Sequence, residues 1–317
     1  MTEASGGPDT HRFAHEAMAT TFQVVIAGRD RAYAQQAADA AFAEIDRVES
    51  VLSRFVDSSD IARINLSAPG QDVRVGGDAF DCLEISAQVC RDTNGAFDVT
   101  IGPLMSCWRN PDKSPRTPSE AELAEARARV GMDKVQLDRA TFSVRLKTAG
   151  MRIDLGGIGK GYALDCAAEI LREWDISSAL IDGGDSTVMA IGHAADGKGW
   201  PLGVGGSSPD NPSIGKVYLT DVSLSGSGIE VQGHHIFDPR KGEPAIGKQA
   251  TWSVCPTGAI ADALSTAFMV LTPQEVEAYC AAHTDTCAML LTDGGRYTRY
   301  GDWEGRLGLE LRDTADG

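Results

Sequence analysis

The stretch DLGGIGKGYALD, residues 154–165, is the feature that most restricts the local fold of this chain. Gly156 and Gly157 are expected to end a strand, and a helix is expected to begin near Lys160. Glycines let a backbone approach a ligand closely, and the first turn of a helix presents free N–H groups to anions. The stretch therefore predicts either a phosphate-binding loop with Lys160 as its cation, or a strand-to-helix turn whose glycines supply positive φ. It has neither the GxxxxGK[ST] spacing of a P-loop nor the GxGxxG spacing of a dinucleotide-binding turn.

The acidic composition limits the partners of the chain. Its 317 residues carry a formal charge of −16 with a pI near 4.7. This charge argues against nucleic-acid binding, because phosphate backbones need a basic surface. A single phosphorylated cofactor needs only a local site, and acidic enzymes commonly recruit a divalent cation for it.

The seven cysteines and the N-terminal residues predict a cytoplasmic protein. No CxxC pair is present, which favours reduced thiols and argues against a zinc site. Residues 1–12 contain no apolar segment of a signal peptide, and no apolar run approaches the length of a membrane span. We therefore expect a cytoplasmic location and no membrane span.

The order of hydrophobic patterns predicts an α+β fold. The segments with helical spacing or a helix-capping residue are 31–52, 78–93, 119–130, 161–174 and 261–271. The strand patterns are 18–27, 135–138, 142–146, 178–184, 186–192, 200–206, 216–226, 234–239, 250–256 and the hairpin 287–301. Residues 52–65 and 109–118 are predicted to be loops, and the tail 1–12 to be disordered. We expect one domain, residues 13–312, made of two interwoven lobes.

Asp262 and Thr266 indicate a metal site. They lie four residues apart on the otherwise apolar segment ADALSTAF, residues 261–268, so they share one face of a helix. A carboxylate in a buried helix is costly unless it is paired or bound to a metal. Carboxylate, hydroxyl and carbonyl oxygens together suit Mg²⁺. The alternative is that Asp262 caps the helix and Thr266 bonds back to a carbonyl.

Three further stretches admit a functional or a structural role. In HHIFDPRKGEP, residues 234–244, a histidine is either a general base or a neutral packing group. In NGAFDVTIGPL, residues 94–104, Asp98 either accepts a hydrogen bond from a base or ribose, or caps its own turn. LSGSG, residues 224–228, is either a wall close to a ligand or a plain β-turn.

Taken in chain order, these stretches resemble the ApbE family of FAD:protein FMN transferases. The elements GxxKGyxxD, DPxxG and ADaxxT carry the resemblance, together with MATTFQVVI, LSRF, SSDIARIN and LIDGGDSTVMAIG, and it covers about residues 16–300. The resemblance implies a two-lobed, T-fold-like architecture with FAD bound between the lobes. It also implies that Mg²⁺ assists cleavage of the FAD diphosphate as a Lewis acid, that FMN passes to a Thr or Ser hydroxyl of an acceptor flavoprotein, and that AMP leaves.

The same resemblance implies roles for individual residues. The implied metal ligands are Asp262, Thr266, Ser265 and the carbonyl of Gly157. The implied FAD contacts are Met18, Phe55, Ala96, Phe97, Asp98, Asp154, Lys160 and Phe237. Met18 would lie near the adenine, Asp154 and Lys160 near the ribose or diphosphate, and Phe237 near the flavin. His235 corresponds to the histidine considered as the catalytic base.

The chain departs from the family pattern in three places. Phe55 stands where most relatives place a tyrosine, and Asp182 where relatives often have asparagine. Residues 228–235, GIEVQGHH, form a shorter loop than usual on the acceptor side. Two alternatives to protein flavinylation follow. One is FAD diphosphate hydrolysis, or FMN transfer to a small-molecule hydroxyl, and the other is non-catalytic flavin binding.

The departure at Phe55 gives a first prediction. Phe55→Tyr should strengthen FAD binding by about 1 kcal/mol, because it restores a hydroxyl that can make one hydrogen bond to the cofactor. Titration calorimetry of the wild type and the variant with FAD measures the difference. Unchanged or weaker affinity would show that Phe55 does not occupy the place of the family tyrosine.

Overall fold

The central element of the computed structural model is an antiparallel sheet of eight strands. The structure describes residues 10–110, 112, 114–184, 186–208, 211–229 and 236–311. The strands are β1 (Thr10–Ala17), β2 (Thr20–Ala27), β3 (Asp72–Arg74), β4 (Val135–Asp138), β5 (Ser143–Leu146), β6 (Ala179–Gly183), β7 (Thr187–Ile191), β8 (Trp200–Ser208), β9 (Asn211–Leu219), β10 (Ser223–Gly228), β11 (Phe237–Asp238), β12 (Glu243–Pro244), β13 (Lys248–Cys255), β14 (Cys287–Thr292), β15 (Tyr297–Tyr300) and β16 (Glu310–Leu311). The helices are α1 (Arg31–Leu52), α2 (Asp60–Leu66), α3 (Gly77–Asp92), α4 (Gly102–Cys107), α5 (Glu120–Ala128), α6 (Gly159–Glu173), α7 (Gly258–Val270), α8 (Pro273–Ala282) and α9 (Trp303–Leu307).

The register of the central sheet aligns a row of hydroxyls. The strand order is β1-β2-β6-β7-β10-β13-β14-β15. Ser225 of β10 pairs with Thr187 of β7 on one side and with Ser253 of β13 on the other. Directly paired residues of antiparallel strands point to the same face of the sheet. The three hydroxyls therefore lie side by side on the face that carries α7.

Helices α1, α3, α6 and α7 cover this face of the central sheet. Alanines and larger apolar residues recur every three or four positions along α1, from Ala34 through Phe42 and Ile45 to Leu52, and all of these are buried. Asp30 accepts hydrogen bonds from the free N–H groups of Ala32 and Tyr33 and so fixes the start of the helix. Alanines allow close helix packing.

The other face of the central sheet is covered by a small sheet, β16-β9-β8, and by α9. The indole of Trp303 is fully buried there and donates hydrogen bonds to the carbonyls of Ala288 and Tyr300. Because both faces of the central sheet are covered, strand β14 is buried along most of its length. No helix within the described ranges is long and apolar enough to cross a membrane.

The α+β prediction is confirmed, and most predicted helices and hairpins lie where the patterns placed them. Helix 31–52 matches α1, and the hairpins at 135–146 and 287–301 match the pairs β4–β5 and β14–β15. The expected cap at Ser119 is a capping box with Glu122.

Four local predictions are wrong. The strand pattern 216–226 is not continuous, because β9 ends at Leu219 and β10 begins at Ser223. The tail is not disordered to residue 12, because β1 begins at Thr10 and pairs with β2, with Phe13 and Ala17 facing the core. The loop 52–65 contains α2, whose start is fixed by Ser59 accepting from the N–H of Ala62. The segment before Gly156 is not a regular strand, and its β pairing is the single bridge between Arg152 and Ile101.

Helices α6 and α7 cross at a pair of glycines. A Cβ atom on Gly161 would lie 2.0 Å from the carbonyl oxygen of Gly258, and one on Gly258 would lie 2.4 Å from the carbonyl oxygen of Gly161. Each clash is with backbone, so no side-chain rotation relieves it. The contact lets the backbones of the two helices approach closely, and it sets the distance between the glycine-rich stretch and Asp262.

A prediction follows for the stability of the fold. Gly161→Ala should lower the free energy of unfolding by about 3 kcal/mol, because the added methyl group forces α6 and α7 apart. In the same helix, a Cβ on Gly159 would meet its nearest neighbour, the Cβ of Leu155, at 3.9 Å. Gly159→Ala is therefore the matched control, with unchanged stability or a gain of up to about 1 kcal/mol. Urea unfolding compares the variants, and equal stabilities would contradict the close crossing.

Candidate active site

Asp262 is a buried carboxylate on α7. Its side chain is 5% exposed. Its Oδ2 accepts a hydrogen bond of 3.0 Å from the N–H of Gly161, and its Oδ1 lies 3.5 Å from the hydroxyls of Thr187 and Ser225. Burial raises the pKa of Asp262, and the charge of Lys160 opposes that shift. A charged Asp262 therefore favours a cation beside it.

A chain of hydroxyls continues from Asp262 along one side of α7. The Ser265 hydroxyl donates to the carbonyl of Asp262 at 2.9 Å and lies 2.8 Å from the Ser227 hydroxyl. Ser227 in turn lies 3.3 Å from the Thr266 hydroxyl, and Ser225 lies 3.3 Å from Ser265. The result is a wall of oxygen atoms, which are the ligands that hard divalent cations prefer. LSGSG, residues 224–228, is thus part of strand β10 next to this wall rather than an isolated turn.

The glycine-rich stretch brings the start of α6 next to the same wall. A Cβ on Gly157 would lie 3.1 Å from the Thr266 hydroxyl and 3.3 Å from the ring of Phe97. None of the glycines from 156 to 161 has positive φ. The alternative of a turn that needs positive φ is therefore wrong. Close approach to Thr266, Phe97 and Gly258 is the reason for glycine at positions 157 and 161.

Two backbone donors at the start of α6 have no partner among the described residues: the N–H of Lys160 in its first turn and that of Gly157 just before the helix. The Lys160 ammonium donates to the hydroxyl of Ser186 on the neighbouring strand connection. Two backbone donors, the positive end of a helix and a lysine together suit an anion at this position.

Asp154 and Phe55 meet through Arg54. The Asp154 side chain is 8% exposed, and its Oδ1 accepts from the N–H of Gly156 at 2.9 Å. A guanidinium nitrogen of Arg54 lies 2.6 Å from the other carboxylate oxygen, and this guanidinium also covers the ring of Phe55 at 4.6 Å from its centroid. Phe55 is otherwise 77% exposed. The predicted contacts Phe55 and Asp154 are thus linked, through a residue that the sequence analysis did not select.

Asp98 caps its own turn. One carboxylate oxygen accepts from the N–H and hydroxyl of Thr100 at 2.8 and 2.6 Å, and the other accepts from the N–H of Met132 at 3.1 Å. Burial raises the pKa of Asp98, and the hydrogen bonds oppose that shift. The observed contacts of Asp98 are therefore those of a residue that caps its own turn. Its role in binding FAD stays a prediction. Ala96 and Phe97, before it, are buried, and Phe97 reaches Gly157.

The remaining predicted residues lie on other elements. Met18 has a left-handed φ of 49° in the β1–β2 turn, and its N–H donates to Glu49 on α1 at 2.7 Å. Phe237 is buried in β11 and packs against Trp108, with ring centroids 6.0 Å apart. His235 lies outside the described residues. Their proposed roles stay predictions.

Sequence reasoning missed the residues that hold α7 in place. Asp165 accepts hydrogen bonds from the N–H groups of Gly258 and Ala259, at 2.6 and 2.8 Å, at the start of α7. Buried Lys248 donates to the carbonyls of Met269 and Leu271 at the end of α7, and burial lowers its pKa to about 8. Negative and positive side chains are favourable at these respective ends of a helix. Asp165 belongs to the GxxKGyxxD pattern, but its partner lies 93 residues away in sequence.

The fold and the site define an α+β protein in which a buried carboxylate and a hydroxyl wall face the start of a helix. The family model described as "ApbE family" matches residues 18–291. The chain belongs to the ApbE family.

Individual relatives agree with this assignment. The chain is 28% identical over 278 residues to a FAD:protein FMN transferase of Klebsiella pneumoniae, covering 82% of this chain and 78% of that one. It is 29% identical over 273 residues to a FAD:protein FMN transferase of Haemophilus influenzae, with coverage of 80% and 78%. The crystal structure of the ApbE protein from Thermotoga maritima matches with a TM-score of 0.82 and 27% identity, over 92% of this chain and 97% of that one.

Asp165 gives a prediction for pH dependence. Burial raises its pKa to about 6 from the ordinary 3.8, so the folded protein binds this proton more tightly than the unfolded chain does. The contribution to stability is therefore largest at low pH and is lost as the pH rises through about 6. Between about pH 5 and pH 7.5, the free energy of unfolding of the wild type should fall by about 1.4 kcal/mol relative to Asp165→Asn. Urea unfolding of both proteins across this range is the measurement, and a constant difference would contradict it.

Proposed function

We propose that this protein transfers FMN from FAD to a Thr or Ser hydroxyl of an acceptor protein, with Mg²⁺, and releases AMP. The observation that supports this most is the meeting of three features: the buried Asp262, the Thr266 hydroxyl and the free backbone donors at the start of α6. The relatives of the chain are named for the same transfer. We further propose a cytoplasmic location and a single domain.

The donor set fits Mg²⁺. Burial disfavours the charged form of the Asp262 carboxylate. Among the described residues, the contacts of its Oδ1 are long ones, of 3.5 Å, to hydroxyls. The Ser265 and Thr266 hydroxyls lie on the same helix, and Gly157 approaches Thr266 without a side chain between them. We propose that Asp262, Thr266, Ser265 and the carbonyl of Gly157 would hold the cation. Bound there, Mg²⁺ would supply Lewis-acid neutralisation of charge on the diphosphate.

The start of α6 is the proposed diphosphate site. The free N–H groups of Gly157 and Lys160 and the ammonium of Lys160 would bind its oxygens. Fixed donors of this kind stabilise charge that develops on the phosphate as the bond to AMP breaks. Asp154, at the start of the glycine-rich stretch, would accept from a ribose hydroxyl. Phe55, Ala96, Phe97, Asp98, Met18 and Phe237 are the proposed contacts to the rest of FAD.

The chemistry is a phosphoryl transfer. The acceptor oxygen forms a bond to the phosphorus of the FMN half, the P–O bond to AMP breaks, and AMP leaves with its phosphate. The acceptor proton passes to a base, for which we propose His235. A transferase of this kind needs an acceptor protein with an accessible Thr or Ser.

The first test is AMP release. Asp262→Asn keeps the volume of the side chain and removes its charge, so it should leave the fold intact and lower Mg²⁺-dependent AMP release by about a hundredfold or more. Purified protein is mixed with FAD and Mg²⁺, with and without a flavinylation acceptor domain, and AMP and acceptor-bound flavin are measured. Glu125→Gln, an exposed carboxylate paired with Arg129, is the control and should be fully active.

The outcomes separate the alternatives. AMP release that depends on the acceptor and labels it supports the transferase. AMP release without acceptor would instead make the protein a FAD diphosphate hydrolase. Full activity of Asp262→Asn would refute the metal site.

A further inference from the structure

Arg54 connects an exposed aromatic ring to a buried carboxylate. Its guanidinium lies 4.6 Å from the centroid of the Phe55 ring and 2.6 Å from Oδ2 of Asp154. Phe55 is 77% exposed, whereas the Asp154 side chain is 8% exposed. A planar guanidinium can stack on a ring and neutralise a carboxylate at the same time, which lysine cannot do.

The carboxylate side of this contact belongs to the glycine-rich stretch. Asp154 Oδ1 is fixed by the N–H of Gly156, but its Oδ2 is buried without a hydrogen-bond donor. The approach of Arg54 is therefore an ion pair without the alignment of a hydrogen bond. Because an isolated buried carboxylate is costly, Arg54 stabilises the charge of Asp154 three residues before Gly157.

The ring side belongs to a segment whose backbone is held in place. The Ser59 hydroxyl donates to the carbonyl of Ser53 at 2.6 Å, the N–H of Phe55 donates to the Ser53 hydroxyl at 3.3 Å, and the N–H of Ser59 donates to the carbonyl of Val56. The ring itself extends from this fixed backbone into solvent. Among the described residues, the guanidinium of Arg54 is the one group that stacks on the Phe55 ring. Arg54 thus sets the orientation of a ring that is otherwise free to rotate.

We propose that Arg54 is a positioning residue for FAD binding. It holds the Phe55 ring as a platform for one of the planar rings of the dinucleotide, within one arginine side chain of the proposed diphosphate site. FAD has planar rings joined through an anionic diphosphate, and it therefore matches an aromatic platform beside an anion-binding loop. The inference rests on the proposed function and adds a determinant of affinity to it.

A double-mutant cycle on the full chain tests the proposal. The variants are Arg54→Met, Phe55→Ala and the combination of both, with FAD affinity measured by titration calorimetry without added Mg²⁺, so that no turnover occurs. Arg54→Met should raise the Kd for FAD about fivefold, which corresponds to the loss of one cation–π contact. Because Arg54 acts through Phe55, the combination should bind FAD no more weakly than Phe55→Ala alone.

Two further variants serve as controls. Arg139 is also exposed, lies 5.3 Å from the Phe80 ring and pairs with Glu84 and Asp81 on another part of the surface. Arg139→Met should leave the Kd for FAD unchanged. Arg54→Lys keeps the charge without the planar fork and should restore less than half of the lost affinity on a logarithmic scale.

The results separate this inference from the proposed function. A wild-type protein that does not bind FAD would refute the proposed function and, with it, the role of Arg54. Normal FAD binding by the wild type with an unchanged Kd in Arg54→Met would overturn the role of Arg54 alone. Losses that multiply in the combined variant, or full rescue by Arg54→Lys, would also overturn it, because Arg54 would then act on FAD by charge and not through Phe55.

Discussion

The close crossing of α6 and α7 is the constraint on which the rest of the site depends. The backbones meet at Gly161 and Gly258, where a Cβ atom on either residue would clash with the carbonyl of the other. Only at this separation does the N–H of Gly161 reach the carboxylate of Asp262, and the carboxylate of Asp165 reach the start of α7. The same crossing brings Thr266 next to Gly157. One steric contact thus positions both the glycine-rich turn and the carboxylate.

The polar groups that surround the Asp262 carboxylate come from several elements. The N–H of Gly161 from α6, the hydroxyl of Thr187 from β7 and the hydroxyl of Ser225 from β10 surround it. Burial nevertheless raises its pKa, so these neutral donors do not fully replace water. The charge of Lys160 and these hydrogen bonds together offset only part of the cost of burying the carboxylate. Asp165 and Lys248 hold the two ends of α7, so the carboxylate has a fixed place in the sheet–helix interface.

The periodic elements were predictable from the sequence, whereas the site was predictable only in part. Helix α1 and the β4–β5 hairpin were predictable because their apolar spacing and turns are local. The same reasoning missed α2, a short helix in a polar segment, and the pairing of β1 from Thr10. The spacing of Asp262 and Thr266 pointed to a shared helix face without the structure. The contacts of Asp165, Ser225 and Arg54 were not predictable, since their partners lie 93, 37 and about 100 residues away along the chain.

By itself, the sequence determined the α+β class, the acidic surface and the resemblance to the ApbE family, because composition, periodicity and motif order are properties of the chain. Tertiary structure showed why positions 157 and 161 require glycine. Positive φ is absent from residues 156–161, and it is the neighbouring Thr266, Phe97 and Gly258 that leave no space for a side chain. It also decided that Asp98 satisfies its own turn, whereas Arg54 links Phe55 to Asp154. Both outcomes depend on which groups approach within a few ångströms, and that distance is set by packing rather than by spacing in the sequence.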